Sequence, residues 1–62
     1  MMIYQVETLK HINEKAISKT IYMDTDYQVA KENAIKNKVE NTSVWLYTWE
    51  IGSAEYKDIE EI

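Results

Sequence analysis

Apolar and polar residues alternate with a period of two through MIYQVETL at residues 2 to 9. This places Met2, Tyr4, Val6 and Thr8 on one side of an extended chain and Ile3, Gln5, Glu7 and Leu9 on the other. The pattern predicts a strand. The polar segment KHINEK interrupts it, and Asn13 supplies a residue that tolerates left-handed backbone, so a hairpin loop is expected there. From Ala16 to Met23 the alternation returns. Ile17, Ile21 and Met23 fall on one face, interrupted by Lys19, and Thr20 lies beside Tyr22 on the other. A second strand, antiparallel to the first, follows.

The character changes at DTDYQ. Thr25 precedes Gln28 by three, the spacing at which a hydroxyl and an amide side chain reciprocally satisfy the free amides of a first helical turn, so a helix is expected to begin near Asp26. Tyr27, Ala30, Ala34 and Ile35 share one broad face of it at about 100° per residue. Two alanines make that face shallow enough to lie close on a sheet. Lys31 and Lys38 border the face, where their methylenes can run along it with the ammonium in water. An acid at Asp26 and lysines late in the segment suit the helix dipole, and Asn37 or Asn41 supplies an end.

The strongest local signal is SVWLYTWEI at residues 43 to 51, rich in aromatic and β-branched side chains and closed by the only glycine, Gly52. Its apolarity predicts a third strand in a central position. Two readings fit the tail GSAEYKDIEEI. Gly52-Ser53 makes a tight turn into a last edge strand carrying Tyr56, or Ser53 caps a short helix in which Tyr56, Ile59 and Ile62 recur every three residues. A helix of about ten residues is marginal, which favours the strand. The expected architecture is one α+β domain spanning residues 1–62: a small antiparallel sheet with one helix packed on a face, in ββαββ order, the last element being a strand or a short helix.

Composition narrows the chemistry. A chain of 62 residues is near the lower limit of independent folding, and the lack of cysteine removes disulfides and thiolate metal sites and makes a reducing cytoplasm the natural compartment. The start MMIYQVETLK has no basic region followed by a long apolar run, and no stretch approaches the roughly 20 apolar residues of a membrane span, so neither export by that route nor membrane insertion is expected. Seven lysines and no arginine stand against eleven acidic residues, for a net charge of -4. Direct binding of a phosphate backbone is disfavoured, and bidentate guanidinium contacts are unavailable.

Few side chains are arranged for catalysis. His11, the only histidine, is expected in the first loop, exposed and without a pocket to orient it. Asp24 and Asp26 flank Thr25 as in the opening of a calcium loop, but the later oxygen ligands, turn glycine and bidentate acid are missing, and helix capping explains the pair. Ser18, Ser43 and Ser53 lack the glycines of a nucleophile elbow, and one glycine cannot build a phosphate cradle. No catalytic, metal-binding or cofactor-binding residue is assigned, and a non-enzymatic role is expected.

Two features suit binding. On the third strand, Trp45, Tyr47, Trp49 and Ile51 project to one face and Val44, Leu46 and Thr48 to the other. If Val44 and Leu46 pack under the helix, the aromatic residues form a stripe on the open side, joined by Tyr4 or Tyr22. Alternatively the tryptophans face the helix and are the core, a reading favoured by the scarcity of other large residues. The second feature is charge: residues 50 to 62 hold Glu50, Glu55, Asp58, Glu60 and Glu61 against Lys57 alone, so the whole excess of acid is C-terminal. Such a strip can occupy a positively charged groove. The candidate partner-binding set is Trp45, Tyr47, Trp49, Glu50, Glu55, Tyr56, Asp58, Glu60 and Glu61.

In size, acidity and lack of both cysteine and enzyme motifs, the whole chain resembles the small accessory proteins encoded by bacteriophages and other mobile elements. Anti-CRISPR proteins and other inhibitors of host enzymes are among these. The resemblance implies an inhibitor in the bacterial host cytoplasm that blocks a host protein, for instance at a basic nucleic-acid-binding groove. Two other roles are open: a homodimer or larger homo-oligomer in which the aromatic stripe or an edge strand meets its copy, and a single-stranded nucleic-acid binder stacking bases on Trp45, Tyr47 and Trp49 alongside Lys19, Lys31 and Lys38.

Overall fold

The computed structural model describes all 62 residues. Strands β1 (Met2–Ile12) and β2 (Lys15–Asp24) are followed by helix α1 (Tyr27–Lys36) and strands β3 (Thr42–Glu50) and β4 (Tyr56–Glu61). They form one antiparallel sheet in the order β2-β1-β3-β4, an α+β fold with a single helix. The tail is the edge strand, not the short helix. No helix is long and apolar enough to cross a membrane.

Local chemistry accounts for the turns. Asn13 and Glu14 link β1 to β2 with φ of 49° and 66°, both left-handed, as a two-residue hairpin requires, and the strands run up to this turn. His11 is therefore an exposed strand residue and not a loop residue. Gly52, at φ 93°, takes the left-handed position in the longer link between β3 and β4.

The helix start differs in detail from the expected capping box. Asp26 itself is the N-cap, its carboxylate accepting from the backbone N–H of Gln28 at 2.9 Å and of Val29 at 3.3 Å. Asp24 Oδ1 accepts from the Asp26 N–H at 2.9 Å and Oδ2 from the Tyr22 hydroxyl at 2.6 Å, which ties the end of β2 to the helix start. These bonds hold the Asp24 carboxyl below its ordinary pKa, the Tyr22 hydroxyl first and the Asp26 amide second. Asn37 is the C-cap, so the earlier of the two asparagines ends α1.

β2 and β3 run parallel to each other with β1 between them, and α1 makes the crossover on one side of the sheet, over β1, β2 and β3. Val6, Ala30, Ala34, Val44 and Leu46 are the fully buried core, with Tyr4, Ile21, Tyr22 and Ile62 packed against it. Ile35, expected on the packing face, points out and is 56% exposed. A β-bulge explains the side chains of β2. The register slips between Val6 and Glu7, so that Ile21 and Tyr22 both pack against the core while Met23 and Thr20 fall on the far face. The strict alternation expected for residues 16 to 23 fails at that point.

Candidate protein-binding face

With Val44 and Leu46 turned under α1, the adjacent residues of β3 must face away from it, because successive side chains on a strand alternate. Cross-strand pairing then assembles the open face. Ile3, Gln5 and Glu7 of β1 sit opposite Trp49, Tyr47 and Trp45, and Tyr56, Ile59 and Glu61 of β4 sit opposite Trp49, Tyr47 and Trp45 from the other side. The aromatic residues are thus not the core beneath the helix. They form a half-buried stripe in the middle of a sheet face that no other element covers.

Packing within the sheet holds the stripe. Tyr56 meets Tyr47 edge-on at 5.2 Å between ring centroids and Trp49 at 5.9 Å, so β4 adds a fourth aromatic ring to the stripe. Trp49 Nε1 donates to Gln5 Oε1 at 2.7 Å, and Gln5 Nε2 donates to Thr20 Oγ1 at 2.7 Å, a relay that fixes the indole across three strands. The Tyr47 hydroxyl has its pKa raised, by burial first and then by the Glu7 carboxylate and Tyr56, which keeps it protonated and able to donate. Tyr4 and Tyr22 do not join this stripe. Both lie on the helix side, where Tyr4 packs edge-on against Tyr27 at 5.3 Å.

The acidic residues divide between the two faces because β4 alternates as well. Glu61 lies on the open face opposite Trp45, and Glu7 of β1 lies opposite Trp45 from the other side. Glu60 and Asp58 point the other way. Glu60 Oε1 accepts from Lys31 Nζ at 2.6 Å and Oε2 from the Tyr27 hydroxyl at 2.9 Å, so the side chains of α1 reach β4 and pin it. The Glu60 carboxyl is held below its ordinary pKa, chiefly by Lys31 and then by Tyr27, and Lys31 is correspondingly raised. Glu50 pairs with Lys57 at 3.4 Å. The C-terminal acids therefore do not form one free strip.

At the end of the stripe, Trp49, Tyr56, Ala54 and Glu55 line a shallow hollow. Two aromatic rings and a carboxylate make a receptor for the cationic tip of a lysine or arginine. On the sheet, Lys10, Lys15 and Lys19 pair with Ile17, Ile12 and Thr8, which places all three on the helix side. Lys31 is there too, bound to Glu60. Of the lysines expected beside a base-stacking platform, Lys19 and Lys31 are thus on the wrong side for it, and Glu7 and Glu61 flank Trp45 on the open face.

Sequence reasoning missed Gln5, Glu7 and Ile59 as members of this face. Their alternation was legible, but which strand would lie beside β3 was not. No group of three or more His, Cys, Asp or Glu side chains converges anywhere in the chain. No protein-family model matches this sequence, and comparison with curated proteins and with solved structures gives no match.

Proposed function

We propose that this chain is a non-enzymatic protein-binding module whose open sheet face seats on a partner that presents lysine or arginine around an apolar patch. The observation that carries this reading is the union of Trp45, Tyr47, Trp49 and Tyr56 with Glu7, Glu55 and Glu61 on the side away from the helix and from Lys10, Lys15 and Lys19. Tryptophan and tyrosine are enriched where binding energy concentrates, and a carboxylate rim steers a basic surface toward them. The size is adequate. Four strands at ~4.8 Å spacing and about nine residues at ~3.4 Å give a face on the order of 600 Å², close to the ~800 Å² per partner of a standard interface.

An inhibitor of a host enzyme fits this chemistry, with the face covering a basic groove that otherwise holds nucleic acid, as in the phage accessory proteins that the composition resembles. The test is a titration of a purified partner, identified by affinity capture and mass spectrometry. Tyr47→Ala and Glu61→Lys should each weaken binding at least tenfold, Glu32→Lys on the exposed helix side should leave it unchanged, and affinity should fall with salt. Equal binding by the wild type and both open-face variants would remove the reading.

A second reading has one observation in its favour: only six of 62 residues are fully buried, so pairing of two open faces would supply the core that a monomer lacks. Glu7 and Glu61 of both copies would then meet around the aromatic residues, which opposes self-association. A concentration-dependent mass in light scattering, abolished by Tyr47→Ala, decides for the homodimer.

A further inference from the structure

On the helix side of the sheet, far from the aromatic stripe in chemistry and in orientation, the far ends of β1 and β2 and the C-terminal end of α1 enclose a groove of about 220 Å³. Three lysines line it, Lys10, Lys19 and Lys36, together with Thr8, Thr42 and Asn37, and its apolar wall is Ile17, Ile21 and Val39. No carboxylate lines it. The two ion pairs of the chain take Lys31 and Lys57, so the three ammonium groups of the groove stand without a partner. Sequence order hides the cluster, because the lysines come from three different elements.

A second, independent observation is Thr8. It is the one polar residue among the six that are fully buried, and its hydroxyl reaches only the Lys19 carbonyl, at 3.5 Å. A bond at that distance is weak. An incoming acceptor can displace so long a bond, because the hydroxyl needs only to rotate to donate into the groove instead. The helix end does not oppose an anion there as strongly as a bare C-terminus would. The Asn37 N–H donates to the Asn33 and Ala34 carbonyls and the Lys38 N–H to the Ile35 carbonyl, which covers the last turn.

We propose that this groove is a binding site for a phosphomonoester. Three unpaired cations offer more donors than a carboxylate can accept, and they match the three oxygens and double charge of a phosphate group, while the Thr42 hydroxyl and the Asn37 amide already donate to the Glu40 and Asn33 carbonyls at 3.4 and 2.8 Å. Lysine binds phosphate as a point charge and needs no bidentate geometry, which suits a chain without arginine. The volume is below that of a drug-sized pocket, so the groove takes the phosphate and a short apolar stem against Ile17, Ile21 and Val39. The net acid of the molecule is screened there, since the Debye length at physiological salt is about 8 Å.

Amide chemical shifts of the labelled full chain, titrated at constant ionic strength with inorganic phosphate, glycerol 3-phosphate, a phosphoserine peptide and acetate, test the site. Saturable shifts confined to Thr8, Lys19, Ile21, Asn37 and Thr42 are expected with phosphate, and acetate should bind at least about tenfold more weakly. A tighter fit for glycerol 3-phosphate than for the peptide marks a small metabolite as the source, and the reverse marks a phosphorylated partner. Lys19→Gln with Lys36→Gln should reduce affinity about tenfold or more, and the shape-preserving Thr8→Val should weaken it while leaving the spectrum otherwise folded. Shifts scattered over all lysines, equal binding of acetate and phosphate, or unchanged affinity in the folded lysine variant would each overturn the proposal.

Discussion

Leu46 and Tyr47 are adjacent on the same central strand, yet one lies under the helix and the other on the open face, so replacing each in turn measures which face holds the fold together. Leu46 is 1% exposed and packs in a cluster with Val6, Val44, Ala30 and Ala34. Leu46→Ala removes buried methyl and methylene groups at a position where truncation costs about 2 to 5 kcal/mol. The two alanines above it have no side chain with which to fill the hole, which puts the expected loss in the upper part of that range, about 3 to 4 kcal/mol. A chain of this length has roughly 3 to 9 kcal/mol of stability in all. Tyr47→Thr replaces one strand-favouring residue by another, now β-branched, and loses the edge-on contact with Tyr56, which is worth ~0.5 to 1.5 kcal/mol, plus part of its half-buried area. Its expected loss is about half that of Leu46→Ala or less. Urea unfolding followed by far-ultraviolet circular dichroism reads both. With a slope near 1 kcal/mol/M, Leu46→Ala should move the midpoint down by about 3 M or leave the chain unfolded in buffer. If Tyr47→Thr proved as damaging as Leu46→Ala, the aromatic side of the sheet would be the real core, and the docking role assigned to it would fall.

Asp26→Ala should lower stability by about 1 kcal/mol in the same urea assay, because two amides of the first turn lose their acceptor, whereas Thr25→Val should change little. The opposite ranking would restore a capping box centred on Thr25. Glu14→Gly should raise stability by up to about 1 kcal/mol by placing a glycine at φ 66° in the hairpin turn, and a loss of stability would contradict the left-handed geometry there. Glu60 has a depressed pKa in the fold, so its contribution is present above the unfolded carboxylate value and disappears as pH falls through the lower folded one. Glu60→Gln should therefore be less stable than wild type at neutral pH, and the two should converge in acid. For Lys31 the sign is reversed: its raised pKa stabilises below the unfolded lysine value and the effect is lost as pH climbs through the folded one. A difference between Glu60→Gln and wild type that persists unchanged into strong acid would exclude the Lys31–Glu60 pair as its source.

The order of elements was legible from residues near one another in the chain. Alternation in MIYQVETL and SVWLYTWEI marked the two central strands, Asn13 marked a hairpin turn of left-handed backbone, and Tyr27, Ala30 and Ala34 marked a helix with a shallow face. Each of these features is decided by local sterics and periodicity, which a sequence records directly. The capping of α1 was close, but Asp26 outcompeted Thr25 because its carboxylate reaches two amides at once. The faces of β2 were misplaced from Met23 to Tyr22 by one bulge, and a single extra residue leaves no mark in the alternation until the partner strand is known.

Tertiary structure alone decided what each face does. A strand with Val44 and Leu46 on one side and Trp45, Tyr47 and Trp49 on the other can turn either side toward a helix. Crossing of α1 over β1, with Ala30 and Ala34 pressed close to the sheet, put valine and leucine in the narrow gap and left the broad indoles outside. The same crossover sent Glu60 to a lysine of the helix while Glu61 stayed with the aromatic residues, and gathered Lys10, Lys19 and Lys36 around one groove. Charge and ring can be counted along the chain, but their grouping in space depends on strand order and register, which are set by contacts between residues distant in sequence.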